Sequence, residues 1–273
     1  MHGFSDILDS LGDTPGVVDL PEDWRQGRAI FGGLVAALAV RALRRQLAVD
    51  APLRSLLVQF AGPVEAGPCF LEPRSVRAGR STTHGSVHVS QGGEAGDIRC
   101  VVLATFGARR ASTLRIDHPG PPEAPDPERA PELPYLEGIT PVFTKHLVYK
   151  WAVGEFPYSG ASRAELGGFC RFREPQRASA EELAIALADA WPPPILPLLS
   201  KPAPASSMTW AVDFADLSDR EPRAEDWCFL RARATAAGHG YAHVEQALWD
   251  ASGAAIAVGT QAVAVFDAPR SSP

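Results

Sequence analysis

The chain has 273 residues, 45% of them hydrophobic, and a formal charge of −6. That is enough for one large domain or two small ones, and the acidic balance speaks against a nucleic-acid partner. Cys69, Cys100, Cys170 and Cys228 are far apart with no CxxC, which argues against a zinc site or a thioredoxin-like pair and fits a reducing compartment. No charged-then-apolar leader opens the chain, and the longest apolar run, around Leu34–Val40, is too short to span a bilayer, so a cytoplasmic protein without membrane contact is expected.

Residues 1–27 are mixed, with Trp24 the one strong anchor. Next comes GRAIFGGLVAALAVRALRRQLAV. Gly32 and Gly33 open a helix that is apolar to Val40 and turns amphipathic at Arg41, Arg44 and Arg45. Two glycines at a helix start let another group approach the backbone, and they present N–H groups at the positive end of the dipole. They serve either close packing or as donors, and the sequence leaves both open. The pattern then changes to strands. Leu53–Phe60 and Cys69–Arg77 are β-rich, with Pro73 suggesting an edge or bulge. Thr83–Gln91 alternates cleanly, Gly92-Gly93 reads as a turn, and Arg99–Phe106 is a further buried strand. This half is therefore one helix followed by about four antiparallel strands.

Residues 111–141 are proline-rich, including Pro119, Pro121, Pro122, Pro125, Pro127, Pro131, Pro134 and Pro141. No periodicity survives there, and the stretch reads as a semi-extended linker. It divides the chain into an N-terminal unit over 1–110 and a C-terminal unit over 142–273. The second unit repeats the first. HGSVHVSQ at His84–Gln91 returns as HGYAHVEQ at His239–Gln246, and CFL at Cys69–Leu71 returns at Cys228–Leu230. Met208–Phe214, Cys228–Ala234, Gly240–Trp249 and Ala255–Phe266 read as its strands, preceded by a short one at Phe169–Arg173. A repeat of this length implies a duplicated fold packed as a pseudo-dimer.

The second unit's helix is EELAIALADAWPPP at Glu181–Pro194. Ser179 with Glu182 three residues on makes a capping box. The six residues from Leu183 to Ala188 have no polar face, so the helix is buried. Asp189 arrives at its last turn, and Pro192, Pro193 and Pro194 stop it. A carboxylate there meets the negative end of the helix dipole beside Trp191 and is costly unless donors satisfy it. Either it escapes to solvent at a frayed end or it is held in a cleft because chemistry requires it.

Other chemistries find little support. His84/His88 and His239/His243 are spaced like metal ligands on a helix. On strands, however, four residues separate the anchor points by roughly 13 Å, too far for one zinc. There is no GxSxG, no GxGxxG and no Walker signature, so no cofactor is expected.

The chain resembles the acyl-CoA thioesterase II family, whose members carry two hotdog domains in one polypeptide. The first half does so through IFGGLVAALAVRAL (Ile30–Leu43) and RAGRSTTHGSVHVSQGG (Arg77–Gly93). The second does so through FCRFRE (Phe169–Glu174), LADAWPPPILPLL (Leu187–Leu199), WCFLRARAT (Trp227–Thr235) and GTQ (Gly259–Gln261). The resemblance implies an α+β double hotdog, two helix-wrapped antiparallel sheets in one chain, that hydrolyses acyl-CoA thioesters to fatty acid and CoA. It also implies a site made of Asp189, Thr235 and Gln261, with an acid, a hydroxyl and an amide sharing one water and Asp189 as general base. Gly32 and Gly33 are then expected at the substrate carbonyl, where negative charge develops. The polyanionic CoA would need a local basic patch, for which Arg41, Arg44, Arg45, Arg77, Arg80, Arg109 and Arg110 are available. Pairing of the double unit into a homo-oligomer is expected because edge strands seek partners. Two other readings are kept: a hotdog dehydratase or hydratase, which needs an Asp/His pair such as Asp189 with His146 or His239, and a non-catalytic acyl-binding module.

Overall fold

The computed structural model describes residues 1–12, 16–92, 96–124, 126–217, 223 and 225–267; Gly93 of the expected turn and Pro125 of the linker lie outside them. A short helix α1 (Phe4–Asp9) precedes β1 (Gly16–Leu20) and a two-stranded ribbon, β2 (Arg25–Gln26) with β3 (Ala29–Ile30). Helix α2 (Gly32–Leu47) follows, then β4 (Leu53–Phe60), β5 (Gly67–Ala78), β6 (Thr82–Gln91) and β7 (Asp97–Gly107). The second unit contains β8 (Leu147–Gly154), β9 (Glu165–Phe172), α3 (Ala180–Ala188), β10 (Ala205–Phe214), β11 (Cys228–Gly238), β12 (Tyr241–Trp249) and β13 (Ala255–Val265).

The architecture is the α+β double hotdog, with one departure from expectation. The two sheets are continuous rather than separate. Their strands run β1-β5-β6-β7-β4-β10-β13-β12-β11-β9-β8, joined where Thr209–Asp213 of β10 pairs antiparallel with Ser55–Gln59 of β4. Each unit thereby loses one open edge to the other. Strands β1 and β8 were not expected from the sequence. β8, LVYKWAVG, buries its first three residues in succession and shows no alternation to read. Pro73 lies beyond the residues of β5 that pair with β1 and just before the bulge between Ser75 and Arg77, where a missing N–H is tolerated.

The two principal helices lie inside the curved sheet, against each other and antiparallel. From Gly33 to Leu43 only Arg41 of α2 is not fully buried, and α3 is buried from Glu182 to Ala188. At one end Ser179 and Glu182 form the capping box on α3. Glu182 also receives two bonds from Arg41, at 2.7 and 2.8 Å. Arg44 pairs with Glu181 and donates to the carbonyls of Val49 and Ala51, while Glu181 accepts from Leu53 N–H. This end of the helix pair is fully compensated, with acids at a helix start and bases at a helix finish.

The linker does not stand away from the body. Trp249 Nε1 donates to the Pro119 carbonyl, Trp227 Nε1 to Glu128, and Leu133 N–H to the Tyr149 carbonyl, which lays the segment along the second unit. No helix among the described residues is long and apolar enough to cross a membrane.

Candidate active site

The opposite end of the helix pair is built differently. Three consecutive prolines from 192 supply no N–H, so α3 cannot continue past Asp189. The carbonyls left at its end are taken by side chains from the sheet. Gln246 Nε2 on β12 donates to Ala188 O at 3.0 Å, and the Tyr149 hydroxyl on β8 donates to Ala190 O at 2.9 Å. Asp189 is the C-cap residue, its own N–H donating to Ala186 O at 3.3 Å. It has not frayed into solvent; its side chain turns inward and keeps only partial solvent access.

The start of α2 faces it. The Gly33 backbone N–H donates to the Asp189 carboxyl, so the positive end of one dipole meets the acid carried at the negative end of the other. The approach demands glycine. A Cβ on Gly32 would lie 2.8 Å from Asp189 Oδ2 and 2.9 Å from Phe60 Cζ. One on Gly33 would lie 2.6 Å from Phe31 Cζ and 3.0 Å from the Ala186 Cα. The two roles left open by the sequence are thus combined: close packing is what delivers the donor.

Gln261 reaches the acid from β13, where it pairs with Trp210 of β10 and Val244 of β12. Its Nε2 lies 3.5 Å from Asp189 Oδ1 and 3.4 Å from Gln246 Oε1. Its Oε1 accepts from the Ser207 hydroxyl at 2.9 Å. The environment sets the acid's chemistry. Burial in apolar surroundings pushes the Asp189 carboxyl from its ordinary 3.8 up to about 7, and donation from Gly33 and Gln261 opposes that rise without cancelling it. A carboxyl poised near neutrality is suited to take and return a proton. Beside it Trp191 meets Tyr149 edge-on with centroids 5.6 Å apart and tilts against Trp151 at 5.2 Å, which makes this flank apolar.

Of the expected site residues, Asp189, Gln261, Gly32 and Gly33 converge here and Thr235 does not. Thr235 sits at the bulge between Ala234 and Ala236 on β11, with β12 standing between it and β13. It is exposed, and its hydroxyl lies 3.5 Å from the His243 carbonyl. The hydroxyl that bonds Gln261 is that of Ser207. Neither Ser207 nor Gln246 was expected from the sequence, although Gln246 ends the repeated HGxxHVxQ. His146 is occupied elsewhere, stacked on Trp24 at 4.1 Å with Nε2 at 3.0 Å from the Asp23 carbonyl, and His239 lies in the exposed β11–β12 turn with φ +54°. Of the arginines considered for CoA, Arg41 and Arg44 are tied into the helix pair and Arg109 bonds Asp216. An open cleft of about 900 Å³ at the far end of the helices is lined by Arg44, Arg45, Glu181 and neighbours, away from Asp189 and Gln261.

The sequence matches the acyl-CoA thioesterase N-terminal domain over residues 20–107 and the acyl-CoA thioesterase C-terminal domain over residues 120–265. Among curated proteins none matches. The fold is similar to that of a conserved hot dog protein of unknown function from Alicyclobacillus acidocaldarius, with a TM-score of 0.87, 24% identity and coverage of 98% of this chain and 99% of that one. It is also similar to a putative thioesterase II from Thermobifida fusca YX, with a TM-score of 0.79, 19% identity and coverage of 97% and 98%. An acyl-CoA thioesterase II from Mycobacterium marinum gives a TM-score of 0.74, 17% identity and coverage of 97% and 99%. At these identities the likeness speaks for the fold alone, but the two domain matches, in order and spanning most of the sequence, go further: the chain belongs to the acyl-CoA thioesterase family.

Proposed function

We propose that this protein hydrolyses acyl-CoA thioesters by direct attack of water, with Asp189 as general base. The single observation that carries the reading is a carboxyl held near neutrality between a helix N-terminus and an amide. The Asp189 carboxylate removes a proton from a water whose oxygen attacks the thioester carbon. The C–S bond then breaks, CoA leaves as the thiol with that proton, and the acyl group departs as the acid. The Ser207 hydroxyl proton is directed at Gln261, which leaves its lone pairs to accept the water's second hydrogen. Gly33 N–H already serves Asp189, so the neighbouring Gly32 N–H and the α2 dipole fall to the carbonyl oxygen. The division into units at 1–110 and 142–273 follows the same reading, with the base in the second unit and the helix start in the first.

A hotdog dehydratase would require an imidazole beside the acid. Among the described residues no histidine bonds Asp189, and His146 and His239 are placed as given above. The test is a saturated acyl-CoA incubated with the protein and a thiol-reactive dye. Steady dye reduction by the native chain, lost in Asp189→Asn, is expected. Full turnover by that variant refutes the assignment of the base, and hydration of an enoyl-CoA without CoA release refutes the reaction.

A further inference from the structure

The repeated HGxxHVxQ ends on Gln91 in the first unit and Gln246 in the second, and the two glutamines do different work. Gln91 lies on β6 and closes on the backbone, accepting from Glu65 N–H at 2.8 Å and donating to the Glu65 carbonyl at 2.9 Å and the Pro68 carbonyl at 3.4 Å. Gln246 points under the helices. Its Nε2 donates to Ala188 O at 3.0 Å and its Oε1 faces Gln261 Nε2 at 3.4 Å.

The chain of partners has a direction, and only one member fixes it. A backbone carbonyl accepts and cannot donate. Ala188 O therefore obliges Gln246 to present its NH₂ to the helix and its oxygen to Gln261. Gln261 must in turn present its own NH₂, and that group also faces Asp189 Oδ1. The other neighbours would tolerate the reverse. The Ser207 hydroxyl on the far side of the Gln261 amide either donates or accepts. A protonated Asp189 would donate to an amide oxygen as readily as it accepts from an amide nitrogen.

We propose that Gln246 is a positioning residue which, through the Ala188 carbonyl, locks the Gln261 amide with its NH₂ toward Asp189 in both protonation states of that acid. The lock favours the ionised carboxylate. Without it, Gln261 turns over whenever Asp189 is protonated, accepts from the carboxylic acid and stabilises the form that cannot act as a base. The link to rate rests on the hydrolytic reading; the link to the titration of Asp189 does not.

The test substitutes Gln246→Met, which keeps the chain length and removes both polar atoms. Gln246→Leu serves if the methionine variant fails to fold. The Asp189 carboxyl is followed by ¹³C NMR with labelled aspartate and assigned by its loss in Asp189→Asn. The variant's midpoint is expected to rise by about half a pH unit to one unit, the size of one hydrogen bond. The acidic limb of kcat is expected to move with it, and kcat at neutral pH to fall about fivefold with KM unchanged within about twofold. A residue that merely packs would lower Tm and leave the midpoint alone. A midpoint unchanged or lowered overturns the proposal. A native chain that releases no CoA overturns the hydrolytic reading instead, since the NMR midpoint is measured without turnover.

Discussion

Asp189→Asn should stabilise the protein while disabling it, and the size of the gain follows from the site. An acid that titrates at about 7 instead of its ordinary 3.8 binds its proton more tightly in the folded chain than in the unfolded one. The sign follows directly: below the unfolded value both states are protonated and nothing is lost. Between the two values the folded state retains a proton the unfolded state has released, so stability falls as pH rises. Above about 7 the whole cost, about 4 kcal/mol, is present. Asparagine removes the titration but gives up the charge-assisted bond from Gly33 and opposes its own NH₂ to that of Gln261, which returns about 1–2 kcal/mol. A net gain of about 2 kcal/mol at pH 8 raises Tm by about 5 °C in a chain of this size. Thermal melts of both proteins between pH 4 and pH 9, taken as differences, cancel every other titrating group. The variant should be the less stable of the two by about 1 kcal/mol at pH 4, and the difference should change sign, grow through neutrality and then level off. A difference independent of pH, or a variant less stable at pH 8, would show that Asp189 is not strained in the folded state and would remove the reason for choosing it as base.

Other outcomes follow from the same geometry. In the native protein kcat should rise with pH through about 7, as the proposed base ionises, and a pH–rate series with a short acyl-CoA checks it. Ser207→Ala should cost about tenfold or more in kcat whereas Thr235→Ala stays within about twofold, because only the first hydroxyl touches Gln261; steady-state kinetics of the pair decide it. Gly32→Ala drives a methyl into Asp189 Oδ2 and Phe60, and should lower stability by about 1–3 kcal/mol and reduce turnover, read by urea titration and the same assay. Arg41→Ala strands Glu182, which is 3% exposed, and should cost about 3–5 kcal/mol, seen as a large fall in the urea midpoint.

Local signals carried much of this into the sequence. The acid end of α3 could be read because a capping box, an apolar run and three prolines bracket Asp189 within sixteen residues, and each acts on its neighbours. The duplication was readable because HGxxHVxQ and CFL recur. The hydroxyl was not, because the face a strand residue occupies depends on bulges that composition does not announce. β11 slips between Ala234 and Ala236, and β10 slips between Ser207 and Thr209. The first slip leaves Thr235 exposed beside a turn of pairing that serves only the strand, while Ser207 comes within reach of Gln261. Gln246 was hidden for another reason. Its partner is a backbone carbonyl 58 residues away, and a carbonyl has no sequence signature.

The two ends of the helix pair explain why a duplicated fold carries one candidate site. At the Arg41 and Arg44 end every charge agrees with its helix. Glu181 and Glu182 stand at the start of α3, and the arginines stand toward the finish of α2, with Arg44 capping two carbonyls. Such an end is electrostatically settled, and its two glutamates are paired. At the Asp189 end the acid sits at the wrong pole of its own helix, and among the described residues one backbone N–H and one amide answer it. Enough donors are present to keep the carboxyl inside and too few to keep it a weak base. That shortfall moves its proton affinity to the range where water can be activated at neutral pH. The equipped end is therefore the one whose pairing is incomplete, and adding a cation beside Asp189 would stabilise the fold at the expense of the base.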